Sequence, residues 1–380
     1  MKIVYCINGL YNSGGMERIL TEKANYLLEN YNYDISIITT DQKSKENFYK
    51  LNKKINCINL DINYIDDLKK SFFKRVFGYI NKQKKHEEKL KKVINNLNTD
   101  ILISLGCEDR NFLYKLKTKN IKVIREYHFN KKYMLQDKKK NFLYVLKGYY
   151  RYIKERILIN KYDEVIVLTK EDKKQWNNKK VKVIPNFINY IPKEVSSCEN
   201  KKIISVGRLE YQKGYDILID IWNIVSKKYP DWILEIYGEG PEREKLQNKV
   251  NKLGLEKSFL LKGAIKNIQD KYLESSIYVM SSRYEGMPMV LLEAMAYGLP
   301  IVSFTCPCGP KDIVKDNEDG FLVEFENIEE MAEKIENLII NEEKRKLFGK
   351  NAKKNIQRFS KNEIMEKWNN LFDKLFDEEK

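Results

Sequence analysis

A chain of 380 residues is too long for one compact core and suits two, and its 42% hydrophobic and 12% aromatic content excludes general disorder. Seventy basic against 54 acidic residues give a net charge of +16, and two histidines, His86 and His128, are too few for a multi-histidine metal centre. No apolar run reaches the ~18 residues that a membrane-spanning helix needs.

The first ten residues, MKIVYCINGL, are too short and too soon interrupted for a signal peptide and read as a first strand. Short β-branched runs follow at 2–8, 34–39, 55–60, 101–105, 122–126, 164–168 and 181–184. Amphipathic stretches separate most of them, for example 15–29 and 82–96. Strands that are apolar on both faces and spaced by helices describe a parallel sheet covered on both sides. The alternation breaks at Pro185-Asn186-Phe187 and stays aperiodic to Asn200, which marks a linker. It then restarts, with strands expected at 202–206, 232–237, 259–262, 277–280, 300–303 and 321–323 and helices at 215–228, 241–253 and 288–297. The tail 342–380 reads as one or two amphipathic helices. Two doubly wound α/β domains account for this order, and ligands of such sheets bind beyond the carboxyl ends of the strands.

The positive charge is confined to one half. Residues 1–190 carry 40 basic and 21 acidic residues, whereas 191–380 carry 30 and 33. It concentrates in 66–92 and 131–156, where Lys and Arg alternate with Phe, Tyr and Leu. Such stretches fit a solvated helical face, or a surface for something anionic such as a membrane leaflet. No reader motif for nucleic acid accompanies them. Cysteines at 6, 57, 107, 198, 306 and 308 are scattered, as expected of reduced, buried thiols in a cytoplasmic protein.

Unusual residues gather at four strand ends. Gly9 to Arg18 holds the pair Gly14-Gly15 before a helix, where backbone amides can approach an anion. The run Val206-Gly207-Arg208-Leu209-Glu210-Tyr211-Gln212-Lys213-Gly214 sets a guanidinium and an ammonium five residues apart, which suits a diphosphate or two solvated cations. Glu285 and Glu293 stand eight residues apart, with Pro288 expected in the first turn of the intervening helix. Amides near Gly286, Met287 and Met289 would then be free for a phosphate or sugar oxygen. Arg125-Glu126-Tyr127-His128-Phe129-Asn130 closes a strand of the first half. His86, in a lysine-rich helical face, reads as solvated surface, whereas His128 falls at a strand end where function concentrates.

In this order, GGMER, EYHFN, VGRLEYQKG, YGEGPE and the E-x7-E of Glu285 and Glu293 make the chain resemble glycosyltransferase family 4 over essentially its whole length. That family comprises retaining enzymes of the GT-B fold, with two Rossmann-like domains facing a cleft and nucleotide-sugar donors. The resemblance implies an acceptor-binding domain at 1–190, a donor-binding domain at 191–360 and a helix at 361–380 returning to the first domain. It implies that Arg208 and Lys213 hold the donor diphosphate, that Glu285 contacts the sugar and that Glu293 takes the ribose hydroxyls. Gly286, Met287, Met289 and Val290 would supply amides to sugar and phosphate. Gly207, Gly238 and Gly263 would form turns around the nucleotide, and Gly15 would let the first-domain loop reach the phosphate. His128 would contact the sugar or the incoming acceptor, although EYHFN differs from the more compact histidine motif of many relatives. The segment CPCGPKDIV at 306–314 looks like one found in polysaccharide-assembling members.

The expectation is therefore a metal-independent, retaining hexosyl- or N-acetylhexosaminyltransferase. It would use a UDP-sugar and a saccharide or lipid-linked acceptor, in capsule, lipopolysaccharide or related surface glycan synthesis. It needs no cofactor, since the chain holds no Asp-x-Asp pair. It would work in the cytoplasm, peripheral on the inner membrane face through 66–92 and 131–156, with no nucleic-acid partner. A nucleotide-sugar epimerase of the same fold and a non-catalytic anion- or membrane-binding protein are the alternatives.

Overall fold

The computed structural model describes residues 1–69, 71–106, 108–129 and 142–377; Cys107, Asn130 and the 131–141 part of the second basic stretch lie outside the described residues. The chain divides into two compact units. One comprises Met1–Leu168, Lys173–Ile184 and Ile364–Lys380, and the other Thr169–Asp172 and Pro185–Glu363. The change of unit at Pro185 opens the aperiodic stretch.

In the first unit, strands β1 (Lys2–Ile7), β2 (Asp34–Thr39), β3 (Asn56–Asn59), β4 (Ile101–Ser104), β5 (Lys122–Tyr127), β6 (Glu164–Val167) and β7 (Val181–Val183) form one parallel sheet in the order β3-β2-β1-β4-β5-β6-β7. The inner strands are buried along nearly their whole length, which is why they read as continuous apolar runs. Helices α1 (Gly15–Tyr31), α2 (Phe72–Leu97) and α3 (Phe142–Leu158) run between the strands, followed by the short α4 (Lys170–Trp176). In the second unit, β8 (Lys202–Val206), β9 (Ile233–Tyr237), β10 (Phe259–Gly263), β11 (Ile277–Met280), β12 (Ile301–Phe304) and β13 (Gly320–Val323) form a parallel sheet ordered β10-β9-β8-β11-β12-β13. Its helices are α5 (Tyr215–Lys228), α6 (Arg243–Lys252), α7 (Gln269–Leu273), α8 (Met289–Ala296), α9 (Pro310–Ile313), α10 (Ile328–Ile340) and α11 (Glu342–Asn355). The last helix, α12 (Lys361–Asp377), belongs to the first unit from Ile364 onward.

The packing of α12 follows its spacing. Ile364, Met365, Trp368, Leu371, Phe372 and Leu375 form one buried stripe at helical period. At that face Tyr33 donates to Asn369 Oδ1 at 2.6 Å and meets Phe372 edge-on. Each large apolar side chain so buried contributes about 1.5–3 kcal/mol. Both sheets reverse direction once, between β1 and β4 and between β8 and β11. Those are the switch points at which loops diverge and leave room for ligands.

Three expectations change. Helix α2 begins at Phe72, ten residues before the expected 82, and His86 on it is buried instead of solvated. The reason is phase: His86, Leu90 and Ile94 recur at i+4 on the buried face of the helix, while the neighbouring lysines point away. Tyr64 hydrogen-bonds His86 Nδ1 at 3.1 Å and Phe112 meets the ring edge-on, and burial lowers the imidazole pKa to about 4. Cys57 is exposed, on edge strand β3, while Cys6, Cys198, Cys306 and Cys308 are buried. Pro288 is the N-cap of α8 and stands outside the helix.

Candidate active site

The second unit gathers most of the expected site residues around its switch point. Gly207 follows β8, and the loop after it carries Arg208 and then a 3₁₀ turn, Tyr211–Lys213. Beyond β11, the neighbouring strand, come Arg283, Glu285 and Gly286. Lys213 Nζ lies 2.8 Å from Glu285 Oε1, with the glutamate side chain 7% exposed and the lysine 19%. This ion pair joins the two loops at the point of reversal.

Several contacts hold the pair in place. Arg283 grips Asp216 with both terminal nitrogens, at 2.8 and 2.7 Å, and its guanidinium lies over Tyr211. The amide of Arg283 donates to Gln212 O, and Gln212 Nε2 donates to Tyr284 O. Such a bidentate pair fixes orientation as well as distance. Gly214 closes the 3₁₀ turn at φ 65°, and a Cβ there would stand 2.1 Å from Ser281 O. Glycine is required, both for the left-handed backbone and for the approach of the loops. A third loop arrives when the Glu285 amide donates to Pro307 O.

Met287, Met289 and Val290 follow at the start of α8, where first-turn amides precede any acceptor inside the helix. Met287 is buried and its Sδ receives the Asn186 amide at 3.2 Å. Glu293 lies one turn into α8, half-buried, with Tyr272 Oη donating to Oε2 at 3.2 Å. Gly238 and Gly263 meet in a backbone bridge at 2.9 Å, and a Cβ on Gly238 would collide with Gly207 O at 2.0 Å. Turns after β8, β9 and β10 are thus locked together. Arg208 is on the same loop as Lys213 but turned outward, 75% exposed and paired with Glu210 at 2.6 Å. Cys306 sits nearby, and burial, with Glu285 adding to it, raises its thiol well above the usual range, so this thiol is not activated as a nucleophile. Among the described residues, no three Asp, Glu, His or Cys side chains converge to hold a metal ion.

In the first unit, Gly15 opens α1, with open space where a Cβ would be. His128 follows β5, its Nε2 3.1 Å from Glu126 Oε1. Glu126 also takes two bonds from Lys23 Nζ, at 2.9 and 2.7 Å, and all three side chains are buried. Burial alone would raise the Glu126 carboxyl, but Lys23 and then His128 hold it at about 2. Lys23 is covered by Tyr5 at 5.2 Å and by Trp368 of α12 at 3.9 Å, a cation–π enclosure. Sequence reasoning missed Lys23 and the Arg283–Asp216 clamp. Lys23 falls in phase with Leu20, Ala24 and Leu27 on the buried face of α1, a readable signal. The clamp spans 67 positions and left none.

A cavity of about 660 Å³ opens in the same unit, lined by Asn8 and Glu108 from beyond β1 and β4 and by residues of α2 and α3.

Residues 187–355 match the family described as glycosyl transferases group 1. The sequence is 32% identical over 377 residues to an uncharacterized glycosyltransferase of Haemophilus influenzae, covering 97% of this chain and 99% of that one. It is 28% identical over 377 residues, 97% of each chain, to the GalNAc-alpha-(1->4)-GalNAc-alpha-(1->3)-diNAcBac-PP-undecaprenol alpha-1,4-N-acetyl-D-galactosaminyltransferase of Campylobacter jejuni. The fold matches a variant of S. aureus TarM in complex with fondaparinux, alpha-GlcNAc-glycerol and UDP, at a TM-score of 0.75 and 21% identity, covering 98% of this chain and 99% of that one. The two doubly wound units are those of the GT-B fold.

Proposed function

This chain belongs to the glycosyltransferases, and on that footing we propose that it moves a hexosyl or N-acetylhexosaminyl group from a UDP-sugar to a saccharide or lipid-linked saccharide in surface glycan synthesis. The observation that carries this reading is the Lys213–Glu285 pair at the β8/β11 reversal, beside the first-turn amides of α8. A departing nucleoside diphosphate develops about two to three negative charges, and preorganised cations and amides lower the barrier to its departure. Lys213 is placed for that diphosphate, and Arg208, on the same exposed loop, swings from Glu210 to share it. Glu285, released in part from Lys213, accepts hydrogen bonds from the donor sugar hydroxyls. Glu293 takes the ribose, and Gly207, Gly238 and Gly263 keep the nucleotide side of the site free of side chains. In the first unit, His128 serves the acceptor.

Transfer proceeds with retention and without a metal. The bond from C1 of the sugar to the diphosphate oxygen breaks, the acceptor oxygen bonds to C1 on the same face, and the acceptor proton passes to the departing diphosphate. No protein nucleophile is needed, in keeping with the absence of an activated thiol at Cys306. The acceptor follows the lipid-linked relative. The chain would then work peripherally at the inner face of the cytoplasmic membrane; no helix among the described residues is long and apolar enough to cross one.

The test is a screen of UDP-, GDP- and TDP-sugars for thermal protection and turnover, followed by lipid-linked acceptors. UDP-sugar protection is expected, and Lys213→Ala and Glu285→Gln should each lower turnover by about 10²-fold or more. Wild-type turnover in both variants overturns the site. An inverted anomer overturns the mechanism, and donor consumed with no acceptor present favours the epimerase.

A further inference from the structure

Large hydrophobic side chains are exposed at 18 described positions, and nine of these belong to α2, α3 and the turn before α2, four of them (Ile65, Val76, Ile80 and Tyr150) lining one cavity. On α2, Phe73, Val76, Phe77 and Ile80 recur at helical spacing, with Phe73 75% and Phe77 67% exposed. On α3, Tyr149, Tyr150, Ile153 and Ile157 repeat the pattern, and Ile65 joins them from the preceding 3₁₀ turn. Both stripes flank one cavity, since Val76 and Ile80 line it from α2 and Tyr150 and Leu158 from α3. Isolated exposed apolar residues are ordinary; a contiguous set at helical period marks a contact surface. Helix α2 divides in its use. Its later turns bury His86, Leu90 and Ile94, while its first turns carry large apolar side chains outward.

The charge around the stripes selects the partner. Helix α2 carries eight basic and two acidic residues, and α3 four and one. Lys74, Arg75, Lys84, Lys85, Lys154 and Arg156 are exposed beside the apolar side chains. A second copy would bring this face against itself and set like charges together, which disfavours a twofold interface. An anionic leaflet offers the complement: a negative layer for the cations and, beneath it, hydrocarbon for the aromatic and aliphatic side chains. The cavity lining mixes Asp41, Asp67, Glu108 and Glu155 with Arg75, Arg110 and Lys154, so the exposed cations outside it, Lys74, Lys84, Lys85 and Arg156, are the ones offered to phosphate. We propose that the first turns of α2 together with α3 dock this unit onto an anionic lipid leaflet. The purpose of this docking rests on the lipid-linked reading of the acceptor given above; its measurement does not.

The experiment is co-sedimentation of the full chain with phosphatidylcholine vesicles and with vesicles containing about one third phosphatidylglycerol. Binding is expected only to the second and should weaken with salt. The pair Phe77→Glu and Ile153→Glu, which lie outside the cavity lining, should reduce it by about tenfold or more. Lys84→Glu with Lys85→Glu, which removes no packing, should reduce it by a similar factor. Melting temperature and donor protection stay at the wild-type level in both. Vesicle binding unchanged in either variant overturns the proposal, as does a dimer in light scattering that the Phe77→Glu pair dissolves. Loss of donor protection in the wild type with vesicle binding intact overturns the transferase reading and leaves the docking face standing.

Discussion

Each unit carries a lysine–glutamate pair at the carboxyl end of its sheet, and the two pairs differ in what surrounds them. Lys23–Glu126 is sealed by Tyr5, Trp368 and His128. Lys213–Glu285 sits on loops, with the lysine reached by solvent and Arg208 beside it. A sealed pair has nowhere to exchange its partner, because separating either charge from the other leaves it uncompensated in a low dielectric. An open pair can hand its lysine to an arriving anion. The first is therefore part of the frame around His128, and the second has the openness that the proposed transfer requires.

The largest expected effect breaks that contrast most directly. Lys23→Met leaves Glu126 buried with His128 as its remaining charged partner, and should cost about 3–5 kcal/mol of stability. Lys213→Met should cost less stability and much more turnover, because Lys213 is partly open to solvent and Gln212 Nε2 still reaches the Glu285 carboxylate when the lysine is gone. Thermal melting and donor turnover on the two variants check this together. A melting loss no larger for Lys23→Met than for Lys213→Met would erase the distinction between frame and site.

Acid should separate the units next. The His86 pKa falls from its ordinary 6.5 to about 4 because burial disfavours the imidazolium. A depressed value means that the unfolded chain binds the proton first. The stability that neutral His86 contributes is therefore complete above pH 6.5 and is lost as pH falls toward 4, by about 3 kcal/mol over that span. Glu126, held at about 2, adds a second loss between pH 4.5 and 2. Urea unfolding followed by hydrogen exchange should show the first unit yielding at lower urea at pH 4.5 than at pH 7. His86→Phe should flatten that dependence. Equal acid sensitivity in both units would count against this account.

How much was legible from the amino acids follows the same divide. All thirteen strands among the described residues were, the inner ones because parallel strands covered on both sides are largely apolar, and the edge strands by their place in the alternation of strand and helix. The loops holding Arg208, Lys213 and Glu285 were legible for that reason. That Lys213 and Glu285 touch was not, since 72 positions separate them and only the pairing of β8 with β11 brings them together. His86 and Lys23 were hidden by their own chemistry. Both lie in helices rich in charge, and only their phase with Leu90 and Ile94, or with Leu20 and Leu27, shows that they face inward. The start of α2 was hidden for the opposite reason. Its apolar positions Phe73, Val76, Phe77 and Ile80 lie on a different face from His86, Leu90 and Ile94, so the stripe changes phase along the helix and no single period runs through it.

The smallest expected effect on stability tests the open pair from its other side. Arg208 is 75% exposed and held only by Glu210 at 2.6 Å, and a surface pair of that kind contributes about 0.2–1 kcal/mol. Arg208→Ala should therefore leave the melting temperature nearly unchanged while lowering kcat/KM for the donor by about tenfold or more, since its guanidinium meets the diphosphate only when donor is bound. Glu210→Ala removes the same surface pair but frees Arg208 for the diphosphate, so it should match Arg208→Ala in stability and exceed it in kcat/KM. If the two variants lose activity equally, the Arg208–Glu210 pair is part of the architecture of the loop. The open character assigned to this site would then belong to Lys213 alone.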